Sequence, residues 1–305
     1  MEVFEHSRRV VRVSINGGKI SLTSPLGALP CDAVSDVGAF SSQMSDGDYL
    51  DLERRGFEQY CIRGIVKRGS VLHEIYGLAE RCGLEFGFDE SVEAETAELI
   101  DAPIDFSDCE DFGDVPFVTV DGAGTRDLDQ ALYVGRRDDA LNRHISTIFD
   151  ETEYIAWYAI ADASWFVRPN TPLYRSALAR GASIYFAGMS ASMLPPALSR
   201  GLISLNPGVD RRALVFIMQI AGDGVCVHTD LRRARVQSRA KLTCEEVSAF
   251  LCAPEVHPWH DREFAESLKG FKAVGALRFA ESQTRNVVHF NRVALDVGLN
   301  SAKTA

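Results

Sequence analysis

The spacing of apolar and polar residues changes period along this chain, and each change marks a boundary. Up to about residue 70 the period is two. Residues 10–15 alternate basic with β-branched side chains, Gly17-Gly18 is a turn, and residues 20–22 begin a second run. Two more runs, 49–52 and 60–67, follow the polar Ser45-Asp46-Gly47-Asp48. Short strands at this spacing predict a small OB-like β-barrel over residues 1–70. From Val71 the period turns helical, with Leu72, Ile75, Leu78 and Ala79 on one face and Gly83 as the stop. Residues 88–114 are acidic and broken by Pro103 and Gly113, so 71–114 reads as a helical and acidic connector.

The remaining chain, 115–305, mixes both periods and predicts an α+β domain with a mostly antiparallel sheet. Residues 117–120 are β-formers, a Gly-rich turn comes next, and 131–134 lead away. Residues 154–167 (YIAWYAIADASWFV) are apolar enough for a strand buried on both faces. Asp162 inside that run predicts a hydrogen-bonded structural carboxylate or the partner of a cation. Thr171-Pro172 opens a helix that runs to Gly181. Residues 213–220 form a strand, Asp223-Gly224 turns it, and 225–236 return. Thr243 and Glu246 make a capping box. A final amphipathic helix over 261–281 places Phe264, Leu268, Phe271 and Val274 on one face, and a strand begins across 287–290.

The chain has 305 residues, room for one large domain or two ordinary ones. Its longest apolar run is far short of a membrane span, and the first residues lack the apolar core of a signal peptide. Seven cysteines without a C-x-x-C pair predict free thiols in a cytoplasmic protein. A net charge of −11 argues against non-specific coating of nucleic acid. The charge is uneven, however. No Lys or Arg lies between Arg81 and Arg126, whereas Arg232, Arg233, Arg235, Arg239 and Lys241 crowd together, as an RNA-channel flank or as solvated surface charge.

Candidate chemistry sits at the end of the 117–120 strand, where Asp121, Asp127 and Asp129 come close in sequence. Like charges at a strand end repel unless a cation compensates, and a hard divalent ion is the usual compensation. Aspartates favoured by turn geometry are the plainer alternative. The spacing does not fit an EF-hand loop. His257 and His260 read as surface histidines.

The residues around these aspartates resemble the catalytic signature of the RNB family, the RNase II and RNase R type exoribonucleases. That signature is a strand ending Thr, Ile or Val, Asp, a short loop, then Asp-x-Asp-Asp-Ala and Leu or Ile. Here stand Thr119-Val120-Asp121 and Asp127-Leu128-Asp129-Gln130-Ala131-Leu132. Residues 183–214 (SIYFAGMSASMLPPALSRGLISLNPGVDRRAL) resemble a second family block without gaps. The resemblance implies Mg2+-dependent hydrolysis of single-stranded RNA from its 3′ end, releasing nucleoside 5′-monophosphates. It implies Asp121, Asp127, Asp129 and Gln130 as metal ligands, with Asp127 and Asp129 catalytic and Asp129 closest to the reacting phosphate. It also implies that Tyr185 stacks on the terminal bases, with Phe290 as its partner. The barrel over 1–70 resembles the cold-shock-like modules that precede RNB domains.

Two departures bear on activity. Gln130 stands where the family has a fourth carboxylate, which lowers the expected Mg2+ affinity. The family's domain also continues through a glutamate-bearing helix and a late arginine, neither of which stands in the short stretch after Phe290. The chain is thus expected to be an RNB exoribonuclease seen in part, or an impaired RNB relative that binds RNA. A metal-dependent phosphoesterase of another family is the remaining alternative.

Overall fold

The computed structural model describes residues 8–56, 59–186, 189–288 and 290. They fall into two compact units, one built from the described residues up to Ala102 with those of Val167–Leu198, the other from Pro103–Phe166 with the described residues from Ser199 to Phe290.

In the first unit, strands β1 (Arg8–Asn16), β2 (Lys19–Ser24), β3 (Gly27–Leu29), β4 (Tyr49–Gly56) and β5 (Gln59–Val66) pair antiparallel in the order β3-β2-β1-β4-β5. Alternation puts Val11, Val13, Leu22, Leu50 and Leu52 into one core. An isolated parallel bridge, Val34 to Tyr60, joins the edge strand β5 to the segment after β3. Helix α1 (Val71–Arg81) is capped by Ser70, whose side chain accepts from the His73 N–H at 3.2 Å, and it buries Tyr76 and Ala79. The helical run then breaks, and α2 (Glu90–Asp101) is a separate helix. Helix α3 (Pro172–Arg180) starts on Thr171 with proline in its first turn and stops at Gly181, φ 71°, as expected. A two-stranded ribbon of β9 (Ile184–Phe186) and β10 (Met189–Ala191) comes after it.

The second unit is a closed barrel. Its strands are β6 (Glu110–Asp121), β7 (Gln130–Arg136), β8 (Thr152–Ala161), β11 (Asp210–Ala221) and β12 (Cys226–Thr243), in the order β11-β12-β6-β7-β8. All neighbours are antiparallel except β12 with β6. Phe112, Phe117, Tyr133, Trp157, Val215 and Val236 fill the interior. On the outside, Val118 and Leu242 pack under α4 (Cys244–Cys252) and α5 (Ala265–Thr284), against Phe250, Phe264 and Leu268. The capping box of Thr243 and Glu246 starts α4. At the β11–β12 turn α5 passes so close to Gly224 (φ +88°) that a Cβ there would meet the Leu277 carbonyl.

Several boundaries differ from the sequence reading. The acidic connector is shorter than 71–114, because β6 begins at Glu110 and its first carboxylates face the arginines of β12. Residues 167–198 group with the first unit instead of the barrel. The 154–167 run splits into β8 and a short helix, Ala163–Phe166. Phe271 is exposed, not part of the buried face of α5. Residues 287, 288 and 290 carry no strand.

Candidate active site

The loop from Asp121 to Gln130 lies at one mouth of the barrel, joining the end of β6 to the start of β7. Within it Leu128 is buried, 2% exposed. The Leu128 N–H donates to Ser204 Oγ at 2.9 Å, and the Leu128 carbonyl accepts from the Leu205 N–H at 2.7 Å. On the other side the Asp129 carbonyl accepts from the Ala161 N–H at 2.9 Å, at the end of β8. Asp127 and Asp129 flank the residue fixed by these bonds. Asp129 is exposed and Asp127 half-buried. The Gly-rich part is held from β12, where Lys241 Nζ donates to the Ala123 carbonyl at 3.0 Å and to the Thr125 carbonyl.

Electrostatics tie the aspartates together. Partial burial, then the charges of Asp129 and Asp127, push the Asp121 carboxyl above its ordinary range against the pull of Lys241. Tyr158 on β8 is raised by burial and then by Asp129. Gln130 Oε1 accepts a hydrogen bond from the Tyr158 hydroxyl. The two residues are diagonal across the β7–β8 ladder, whose register pairs Gln130 with Ile160 and Leu132 with Tyr158.

A hard divalent cation fits this donor set. The three carboxylates occupy one loop, and Asp121 carries a raised pKa that such a charge would relieve. Among the described residues no three acidic, His or Cys groups gather closely enough to enclose an ion by themselves. Mg2+ is commonly held by one or two carboxylates, with water and substrate phosphate completing its shell.

The basic run of β12 has a structural occupation. Arg232 pairs with Glu110 at 2.8 Å, and Arg235 with Asp111 at 2.6 Å. Arg239 pairs with Glu263 at 3.0 Å. Arg233 lies 3.2 Å from both Asp108 and Asp162. Asp162 is fully buried, as expected for a partnered carboxylate. It accepts from Ser164 Oγ at 2.6 Å and lies 3.8 Å from Nε of buried Arg212. Arg212 also touches Asp108 at 2.7 Å, as an ion pair without hydrogen-bond geometry, and stacks over Trp165 at 4.8 Å. The Arg212 guanidinium holds Asp108 below the ordinary carboxylate range, and hydrogen bonds from Arg235 do the same for Asp111.

Tyr185 lies on β9 in the first unit and is 69% exposed; Phe290, in the second unit, is 82% exposed. His260 pairs with Asp261 at 2.8 Å. Tyr158 and Ser204 escaped the sequence reading. Tyr158 looked like one more apolar position of a buried run. Ser204 sits in the Leu-Ile-Ser-Leu-Asn stretch of the second block, whose partner in space is the aspartate loop.

Comparison with known proteins identifies the family. The family model of the RNB domain matches residues 109–298, more than half of the chain. Ribonuclease R of Escherichia coli (strain K12) is 40% identical over 137 residues, 45% of this chain and 15% of that protein. Ribonuclease R of Mycoplasmopsis pulmonis is 32% identical over 199 residues, 63% of this chain and 26% of that protein. The chain thus matches about a quarter or less of the length of these relatives. A solved structure of Mycoplasma genitalium RNase R, in complex with ribose-methylated single-stranded RNA, shares the fold. Its TM-score is 0.70 at 18% identity, over 97% of this chain and 46% of that one. The aspartate loop, the Ser204–Leu205 clasp and the barrel that carries them all lie within the matched segment, and the chain belongs to the RNB domain family.

Proposed function

We propose that this chain acts as a hydrolytic 3′-to-5′ exoribonuclease on single-stranded RNA, with Mg2+ as cofactor and nucleoside 5′-monophosphates as products. The observation that carries this reading is the Asp121–Asp129 loop, in which the charges of Asp129 and Asp127 add to burial in pushing up the Asp121 carboxyl. Asp121, Asp127 and Asp129 would hold the cation, which supplies charge neutralisation at the phosphate and a lower pKa for the attacking water. Asp129, the most exposed of the three, meets the reacting phosphate. Lys241 fixes the loop through two carbonyls. The exposed rings of Tyr185 and Phe290 stack on bases, which needs no sequence reading and suits a degradative enzyme.

The test is a time course on 5′-labelled single-stranded RNA with Mg2+ and with EDTA. Metal-dependent laddering from the 3′ end with mononucleotide release supports the proposal. A second reading, an impaired relative that binds RNA, is favoured by one observation: Gln130 brings a neutral amide whose oxygen is engaged by Tyr158. RNA retained without cleavage in the same assay selects that reading.

A further inference from the structure

Position 130 is where this chain departs from the family signature, and the residue beside it in space shows what replaces a carboxylate there. Gln130 opens β7 on the outer face of the barrel, the face it shares with Leu132 and Val134. The Tyr158 hydroxyl reaches it diagonally from β8 and donates to Oε1. A primary amide has one oxygen and two N–H donors. With the oxygen turned to a hydroxyl, the two donors are what remains for other partners. This orientation is also the favourable one electrostatically, because the neighbouring loop carries Asp127 and Asp129. An amide oxygen facing carboxylates is repelled, whereas N–H groups are attracted.

Resting on the proposed function, we infer that Gln130 is a hydrogen-bond donor to the substrate phosphate and not a ligand of the cation, and that Tyr158 is the positioning residue that fixes this orientation. The aspartates of the loop, completed by water and substrate phosphate, would then hold the metal without position 130. The fourth position exchanges a negative charge, which would repel RNA whenever the cation is absent, for a donor that attracts it. The chain would therefore keep RNA at this mouth at low Mg2+, at the cost of cation affinity.

The test separates the two ligands and uses the 305-residue chain as wild type, Gln130→Ala, Tyr158→Phe and the double variant. Mn2+ alone is titrated by calorimetry, and binding of 5′-labelled single-stranded RNA is measured in EDTA. Expected is an Mn2+ affinity unchanged within about twofold in all variants, with RNA binding weakened roughly tenfold by Gln130→Ala and somewhat less by Tyr158→Phe. Tyr158→Phe should add nothing once Gln130 is alanine, which a merely structural tyrosine would not obey. Loss of Mn2+ affinity by about fivefold or more in Gln130→Ala makes Gln130 a ligand and overturns the inference. Unchanged RNA binding in Gln130→Ala, or an equal effect of Tyr158→Phe in both backgrounds, overturns it as well. A wild-type chain that binds neither Mn2+ nor RNA overturns the functional reading, and this inference with it.

Discussion

The two ends of β6 carry carboxylates, and the fold treats them in opposite ways. At the start, Asp108, Glu110 and Asp111 meet Arg212, Arg233, Arg232 and Arg235, and the carboxyls of Asp108 and Asp111 are held down. At the end, burial and then the charges of Asp129 and Asp127 push the Asp121 carboxyl up, although Lys241 opposes the shift. One strand, β12, runs parallel to both ends, offering arginines beside 110–112 and then Lys241, Leu242 and Thr243 beside 119–121. The acidic start is structural because its charges are matched within the fold. The acidic end gathers like charges beside a partly buried carboxyl, and under the proposed function a cation would supply the balance there.

The largest expected effect lies at the end of the strand. Asp129→Asn should lower RNA hydrolysis by about a thousandfold or more while RNA affinity stays within a few fold. A variant cleaving at the wild-type rate removes Asp129 from the chemistry. The largest structural effect belongs to the other end. Arg212→Met leaves Asp162 buried with less compensation and should cost about 3–5 kcal/mol in urea unfolding. A loss below about 1 kcal/mol would mean that Arg233 and Ser164 satisfy Asp162 without it.

Smaller effects sharpen the picture. Tyr185→Ala should weaken RNA binding by about 1–3 kcal/mol without changing Mn2+ affinity. A parallel loss of both would mean that the substitution disturbs more than base stacking. The smallest effect tests the sign of the electrostatics. A carboxyl with a raised folded pKa opposes folding once ionised, so in EDTA at neutral pH Asp121→Asn should raise Tm by roughly 1–3 °C. The gain should fade as the pH falls below the carboxylate range, where the wild-type group is neutral in both states. Asp111→Asn should shift Tm the other way, and less, because that pair is exposed to solvent. Its contribution is present at neutral pH and is lost as the pH falls through the lowered pKa of Asp111.

Much of this was legible in the sequence because local rules suffice for it. The period-two runs of the first unit, the Thr171 and Thr243 caps and the Asp223-Gly224 turn are set by neighbours in the chain. The aspartate loop was legible because its residues are contiguous. What stayed hidden depends on partners far apart in sequence. The acidic residues at 108–111 read as a connector because nothing local shows that Arg212 and the arginines of 232–235 lie beside them. Tyr158 read as core because only the β7–β8 register brings it to Gln130. Ser204 and Leu205 belonged to a recognisable block, but their hydrogen bonds to Leu128 cross more than seventy residues. Phe271 matched the helical period and yet stayed exposed, since α5 meets the barrel over a narrower stripe than its apolar face.

The contrast between the two ends of β6 is tested most directly by Mn2+ titration of the wild-type chain, Asp129→Asn and Asp111→Asn under one condition. The account predicts that Asp129→Asn weakens binding by about tenfold or more, while Asp111→Asn leaves it within about twofold of wild type. Equal losses in both variants, or none in Asp129→Asn, would contradict it.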